Sequence, residues 1–92
     1  MNHNDRHADA LSRSVIDVAV GVLVALRRCS EREAFNEIAD AVRETGVGLG
    51  SLSRALVALA SGTTDPFDHR TEAVDLWGDL VAVHSRTSRS IA

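Results

Sequence analysis

The sequence predicts an all-α protein: a compact three-helix bundle followed by an additional C-terminal amphipathic helix. Apolar residues recur every three or four positions through four segments of the 92-residue chain. Glycine or proline separates the second, third and fourth segments, and a helix-start signature at Ser30 separates the first from the second. With 45% hydrophobic and 25% charged residues, the composition is that of a single globular domain. A chain this short buries little surface alone, so self-association is expected.

The first helix is predicted over residues 8–28. Its apolar residues at 4-3-4-3 spacing are typical of a seam that packs on another helix, and they are Leu11, Val15, Val18, Val22 and Ala25. A second apolar set lies beside the seam and consists of Ile16, Ala19, Leu23 and Leu26. The later half of the helix is therefore apolar over most of its circumference, which predicts burial on several sides.

The second helix is predicted to follow Ser30. Ser30 and Glu33 have the spacing of a capping box, in which each side chain accepts a hydrogen bond from the other residue's amide. The apolar positions that follow keep helical spacing, and they are Ala34, Phe35, Ile38, Ala41 and Val42. Gly46 is placed to end the helix in a left-handed conformation, which glycine adopts without a Cβ clash.

A third helix is predicted after Gly50 or Ser51, either of which can cap it, and it ends near residue 61. A stretch that contains Pro66 then separates it from a fourth helix. One face of that helix is apolar and carries Ala73, Leu76, Trp77, Leu80 and Val81. The predicted organisation is a flexible tail at 1–10, a three-helix domain at 11–61, a linker at 62–67, a helix at 68–86 and a flexible tail at 87–92.

Composition narrows the classes of function. All ten basic residues are arginine, set against 13 acidic residues and a net charge of -3, which argues against a generic electrostatic surface for nucleic acid. A lone cysteine, Cys29, forms no internal disulfide and has no zinc-ligand spacing, so a reducing, cytoplasmic setting is expected. The longest uncharged run in the front half has nine residues, against roughly 20 for a membrane span, so no membrane partner is expected.

No residue pattern in this chain points to catalysis. The four histidines stand in no motif that combines a nucleophile, a base and an orienting acid. Cys29 is best interpreted as a small residue in a turn between helices. Gly46, Gly48 and Gly50 are turn glycines, because no strand precedes them and no lysine follows. The sequence therefore predicts no enzyme, no cofactor and no metal site.

Three blocks of residues occur in an order and at separations that are typical of one family. The blocks are Ile16-Asp17-x-Ala19-x-Gly21-x-Leu23, then Arg28-Cys29-Ser30 with Ala34-Phe35, then Leu49-x-x-Leu52. Together with Arg13 ahead of the first block, they resemble the ANTAR domain, a three-helix RNA-binding module of bacterial transcription antitermination regulators. The resemblance covers about residues 13–60.

The resemblance implies a dimer that binds a two-hairpin RNA element and prevents a terminator from forming. ANTAR proteins usually dimerise through a helix or coiled coil ahead of the domain, and typically carry a receiver or GAF sensor domain. This chain resembles a stand-alone module, so its input is expected from a sensor-domain partner protein or from its expression level. RNA and a second copy of the chain are therefore the expected partners.

The chain also departs from the family's pattern. Val20 stands where the family usually has lysine, Val24 where methionine is common, and the basic residues near the start of the third helix are glycines here. RNA contacts are therefore expected from the remaining arginines, which are Arg27, Arg28, Arg43 and Arg54. A helix-capping role for Arg27 and Arg28 stays equally open.

The same departures favour an alternative function. An acidic domain with an apolar first helix and a tryptophan on its fourth helix is suited to protein contacts. The interface candidates are Val20, Val24, Leu76, Trp77 and Leu80. The alternative is a degenerate ANTAR module that acts in dimerisation or protein interaction without RNA. In a competing interpretation, the fourth helix covers this apolar face within one chain.

Overall fold

The computed structural model describes the backbone of residues 3–91 and the side chains of residues 13–85. Over this range the chain is helical, without strands. The helices are α1 (His3–Arg27), α2 (Glu31–Thr45), α3 (Leu49–Ser61) and α4 (Arg70–Ile91). The predicted all-α class with an additional C-terminal helix is confirmed.

The two terminal helices are longer than the apolar pattern predicts. α1 covers most of the segment 1–10 that was expected as a tail, and α4 ends at Ile91 rather than at residue 86. A helix continues through polar residues on its backbone hydrogen bonds, so its ends extend beyond its apolar stripe. The rest of the predicted tails, residues 1–2 and 92, lies outside the described residues.

The cap at the start of α2 is confirmed. The Glu33 amide donates to Ser30 Oγ at 3.1 Å, and the Ser30 amide donates to Glu33 Oε1 at 3.1 Å. The hydrogen bonds that the Ser30 amide and then its side chain make to the Glu33 carboxylate hold the pKa of Glu33 below its ordinary value. Gly46 ends the helix at φ 74°, and its amide donates to the Val42 carbonyl at 2.9 Å, as the C-cap prediction requires.

The start of α3 corrects the prediction. Its cap is Gly48 rather than Gly50 or Ser51, and the Leu52 amide donates to the Gly48 carbonyl at 2.9 Å. In the turn before α3, the Thr45 hydroxyl oxygen accepts a hydrogen bond from the Val47 amide at 3.1 Å. Gly48 itself has an extended backbone, the helix begins at the next residue, and no side chain caps it.

The linker before α4 ends at His69 rather than at residue 67. His69 has a left-handed backbone (φ 62°), and its carbonyl accepts from the Ala73 amide at 3.0 Å in the first turn of α4. His69 Nδ1 also lies 3.5 Å from Glu72 Oε2. Backbone and side chain at this one residue therefore define where α4 begins.

All four helices contribute side chains to one core. The largest fully buried side chains are those of Trp77, Leu23, Ile38, Leu52 and Leu56, together with the smaller Ser53. α1 packs most extensively on α3, and α4 packs mainly on α3. α4 contributes Ala73 and Trp77 to this core, so the fourth helix belongs to the folded unit.

The face of α1 that enters the core is not the predicted seam. Ala19 and Leu23 are fully buried, whereas Val18 on the seam is 52% exposed, Ala25 is exposed and Val22 is half-buried. Because α1 is apolar around most of its circumference, the residue pattern does not distinguish the core face from the seam. The other helices cover one side of α1, and the prediction of burial on several sides is wrong.

Candidate nucleic-acid interface

Two of the predicted RNA contacts stand at the junction of α1 and α2. Arg27 is the last residue of α1, and Arg28 follows with a left-handed backbone (φ 56°). Cys29 is half-buried in the same turn, where its Sγ lies 3.8 Å from the Leu23 carbonyl oxygen. α1 is therefore followed by an arginine in a conformation that usually belongs to glycine. The Arg28 side chain is exposed and forms no ion pair within the described part of the chain.

Arg27 is held by a carboxylate from α2. Its Nε donates to Glu37 Oε1 at 3.1 Å and to Oε2 at 3.3 Å, and its Nη2 donates to Oε2 at 3.0 Å. Trp77 of α4 donates its indole N–H to the same Oε2 at 2.8 Å. The Glu37 carboxylate therefore links three helices, and we call these three residues the Glu37 cluster.

The other two predicted contacts differ from each other. Arg43 pairs with Asp40 one turn earlier on α2, and both side chains are largely exposed, so the pair is weak. Arg54 is exposed on α3 and makes no ion pair with any side chain that the structure describes. Among residues 13–85, carboxylates thus engage Arg27 and Arg43 but not Arg28 or Arg54.

Arg27 and Arg54 line different depressions of the surface. Arg27 lies in an open groove of about 500 Å³, called here the α2–α4 groove, whose lining includes the carboxylates of Glu33, Glu37, Asp40 and Glu44. Arg54 lines a cavity of about 120 Å³ together with Phe67, Asp68 and His69. The structure therefore divides the predicted arginines between an acidic groove and a separate site on α3.

The predicted protein-interface residues also fall into two groups. Val20 and Trp77 are buried within one chain, at 9% and 1% exposure, so they offer no surface to a partner. Val20 lies next to the core face of α1, and Trp77 packs in the core between α4 and the other helices, so both side chains are covered. Val24, Leu76 and Leu80 are half-buried at the surface, and they stay candidates for contact.

Glu37 is the residue that the sequence interpretation missed. The helical pattern places it on the outer, polar face of α2, and nothing local marks it as a partner of Arg27 or Trp77. Those residues are 10 and 40 positions away along the chain. The buried donor of a lone tryptophan was the one available signal, because a buried indole N–H usually has an acceptor.

Two kinds of feature are absent from the described residues. Among them no group of three or more His, Cys, Asp or Glu side chains is arranged to hold a metal ion. No described helix is both long enough and apolar enough to span a membrane.

Comparison with models of known protein families gives a match to the ANTAR domain over residues 5–57. This range is more than half of the 92-residue chain, and it includes α2 and nearly all of α1, as well as Leu49–Val57 of α3. No curated protein and no solved structure gives a significant match. The family model covers the blocks that carried the resemblance, and the chain belongs to the ANTAR domain family.

Proposed function

We propose that this protein is a cytoplasmic, non-enzymatic regulator of transcription antitermination that binds a two-hairpin RNA element. The observation that carries the proposal is the ANTAR match, because its range includes all four predicted arginines. ANTAR domains are regulatory RNA-binding modules, so the match favours RNA over other ligands. The expected product of binding is a transcript in which the terminator does not form.

Arg28 and Arg54 are the main phosphate contacts in this proposal. Both are exposed and make no ion pair among the described residues, so neither guanidinium has to leave a carboxylate before it binds phosphate, although Asp68 lines the same cavity as Arg54. Arg27 and Arg43 contribute less to phosphate binding, because they are already ion-paired with Glu37 and Asp40. A chain with a net charge of -3 depends strongly on such individual contacts.

The test replaces Arg28 by glycine. Arg28→Gly removes the charge and also relieves the left-handed backbone, since glycine has no Cβ to clash there. Loss of binding is then not a consequence of unfolding. Affinity for a paired-hairpin RNA should fall about five- to tenfold, and the slope of log affinity against log salt should become shallower by about 1.

The matched control is Arg70→Ala, which removes one exposed arginine outside the family match. It changes the net charge by the same amount as Arg28→Gly. Because Arg70 is not among the proposed RNA contacts, the RNA affinity should stay within about twofold of the wild type. Filter binding or fluorescence anisotropy with a scrambled RNA alongside measures both variants. An unchanged affinity for Arg28→Gly, or an equal loss for Arg70→Ala, contradicts the assignment of Arg28.

A second candidate function, protein interaction, is favoured by the exposed side of α1. The described residues of the predicted seam, called here the outer seam, are Val15, Val18, Val22 and Ala25. In a coiled-coil heptad, Val15 and Val22 would both occupy the position named a. β-branched residues at this position favour two-stranded parallel coiled coils. The proposed occupant is a second copy of the chain, which gives a homodimer, and a sensor-domain protein with a similar helix is the other partner class.

A further inference from the structure

We infer that Glu37 controls the availability of Arg27 to RNA, and that Trp77 of α4 holds Glu37 in the position where it does so. The inference rests on the proposed RNA-binding function. It assigns to α4, which lies outside the family match, a role in setting how strongly the ANTAR helices bind RNA. Glu37 and Trp77 act as positioning residues, because they work through Arg27.

The first step of the argument is the geometry of the Glu37 cluster. Three hydrogen bonds of 3.0 to 3.3 Å join the Arg27 guanidinium to both carboxylate oxygens of Glu37. A guanidinium binds phosphate through the same paired N–H groups. A phosphate therefore has to displace Glu37 before it can bind Arg27 in that way.

The second step is that this site is accessible. The Arg27 side chain is 43% exposed and that of Glu37 is 31% exposed, so both face solvent in the α2–α4 groove. A phosphate can thus reach the guanidinium from outside, and the carboxylate can turn away into water. The ion pair is a competitor for the ligand and not a buried structural element.

The third step concerns the fixed position of the carboxylate. Trp77 is 1% exposed, so its indole ring cannot follow a moving partner. Its N–H donates to Glu37 Oε2 at 2.8 Å and keeps that oxygen beside Arg27. Exposed ion pairs are weak when both side chains must be ordered, and here the tryptophan has already ordered one of them. A neutral substitution at Glu37 should consequently free Arg27.

The experiment measures RNA binding by Glu37→Gln. Glutamine keeps the size of the side chain and can still accept from Trp77, but it lacks the charge that holds Arg27. Affinity for the paired-hairpin RNA should rise about three- to fivefold, and the salt dependence should steepen by about one counterion. Glu44→Gln is the matched control, since it removes the same charge from the same groove without touching Arg27, and it should give a clearly smaller gain.

Two further readouts separate release of Arg27 from a general charge effect. In an Arg27→Ala background, Glu37→Gln should give no gain beyond the small one that Glu44→Gln gives, because no guanidinium is left to release. Trp77 is the chain's one tryptophan, and its N–H senses the Glu37 carboxylate. RNA should therefore change the tryptophan emission of the wild type, and the change should be smaller in Glu37→Gln.

The outcomes distinguish this inference from the proposed function. Wild-type affinity in a folded Glu37→Gln, an equal gain in Glu44→Gln, or a gain that persists without Arg27 overturns the inference alone. Absence of binding by both the wild type and Glu37→Gln at low salt overturns the RNA-binding function as well. Circular dichroism establishes that each variant is folded.

Discussion

At the residue scale, two glycines should respond in opposite directions to the same substitution. Gly21 lies inside α1 and Gly46 ends α2 at φ 74°, and at either position an added Cβ would meet no atom within 4 Å beyond those of the adjoining chain. Gly21→Ala should raise the free energy of unfolding by about 1 kcal/mol, because alanine is the better residue within a helix. Gly46→Ala should lower it by about 1 kcal/mol, because a Cβ disfavours the left-handed conformation.

Urea denaturation followed by helical circular dichroism measures both glycine variants. Each serves as the control for the other, since the atoms added are identical and only the backbone conformation differs. A lower midpoint for Gly21→Ala would show that the space beside Gly21 is occupied in solution. A midpoint for Gly46→Ala equal to the wild type would contradict a left-handed C-cap.

At the scale of an element, the start of α2 makes stability depend on pH. Hydrogen bonds from Ser30 lower the pKa of Glu33 below its ordinary value of 4.5 in the folded chain. The unfolded chain therefore takes up the proton first as the pH falls. The stabilisation is complete above the ordinary pKa and is lost as the pH falls through the lower, folded value.

Ser30→Ala should remove this cap at a cost of about 1 kcal/mol at neutral pH. It should also weaken the acid dependence of unfolding, because the folded pKa of Glu33 moves back toward its ordinary value. The measurement is the urea midpoint as a function of pH for the wild type and the variant. Glu31→Gln is the control, since that carboxylate lies in the same turn but outside the capping box. A similar change in the pH profile of Glu31→Gln would contradict the assignment of the effect to Glu33.

At the scale of the whole molecule, the outer seam of α1 should determine the oligomeric state. Val18→Lys places a charge in the centre of the seam, at a side chain that is 52% exposed in one chain. The fold should persist, while dimer affinity should fall about a hundredfold or more, because an unpaired charge would be buried between two copies. Sedimentation across a range of protein concentrations measures this change.

Val74→Lys is the control for the seam, because Val74 is also an exposed valine, 38% accessible, and lies on α4. Its sedimentation profile should match that of the wild type. Substitution at Val20, in contrast, should unfold the chain before it affects a dimer, because that side chain is buried inside the bundle. A Val18→Lys profile identical to the wild type would exclude α1 as the dimer interface.

Features governed by neighbouring residues were predictable from the sequence. The capping box at Ser30 and the left-handed turn at Gly46 depend on atoms within four positions along the chain, so residue types and spacing suffice. The four helices were predictable for the same reason, because helical hydrogen bonds join nearby residues. The choice of the four arginines as RNA contacts came from the family resemblance and stays a prediction.

Relations between distant residues depended on how the helices pack. Either side of α1 satisfied the apolar pattern, and contact with α3 selected the side that carries Ala19 and Leu23. Likewise, Arg27 binds the carboxylate of Glu37, 10 residues away. That carboxylate accepts a hydrogen bond from the indole of Trp77, which is 40 residues further along the chain. Local sequence determines which segments become helices, because those hydrogen bonds are local. The pairing of charges and the choice of the core face arise from tertiary packing, because only packing brings residues so far apart in the chain within hydrogen-bond distance.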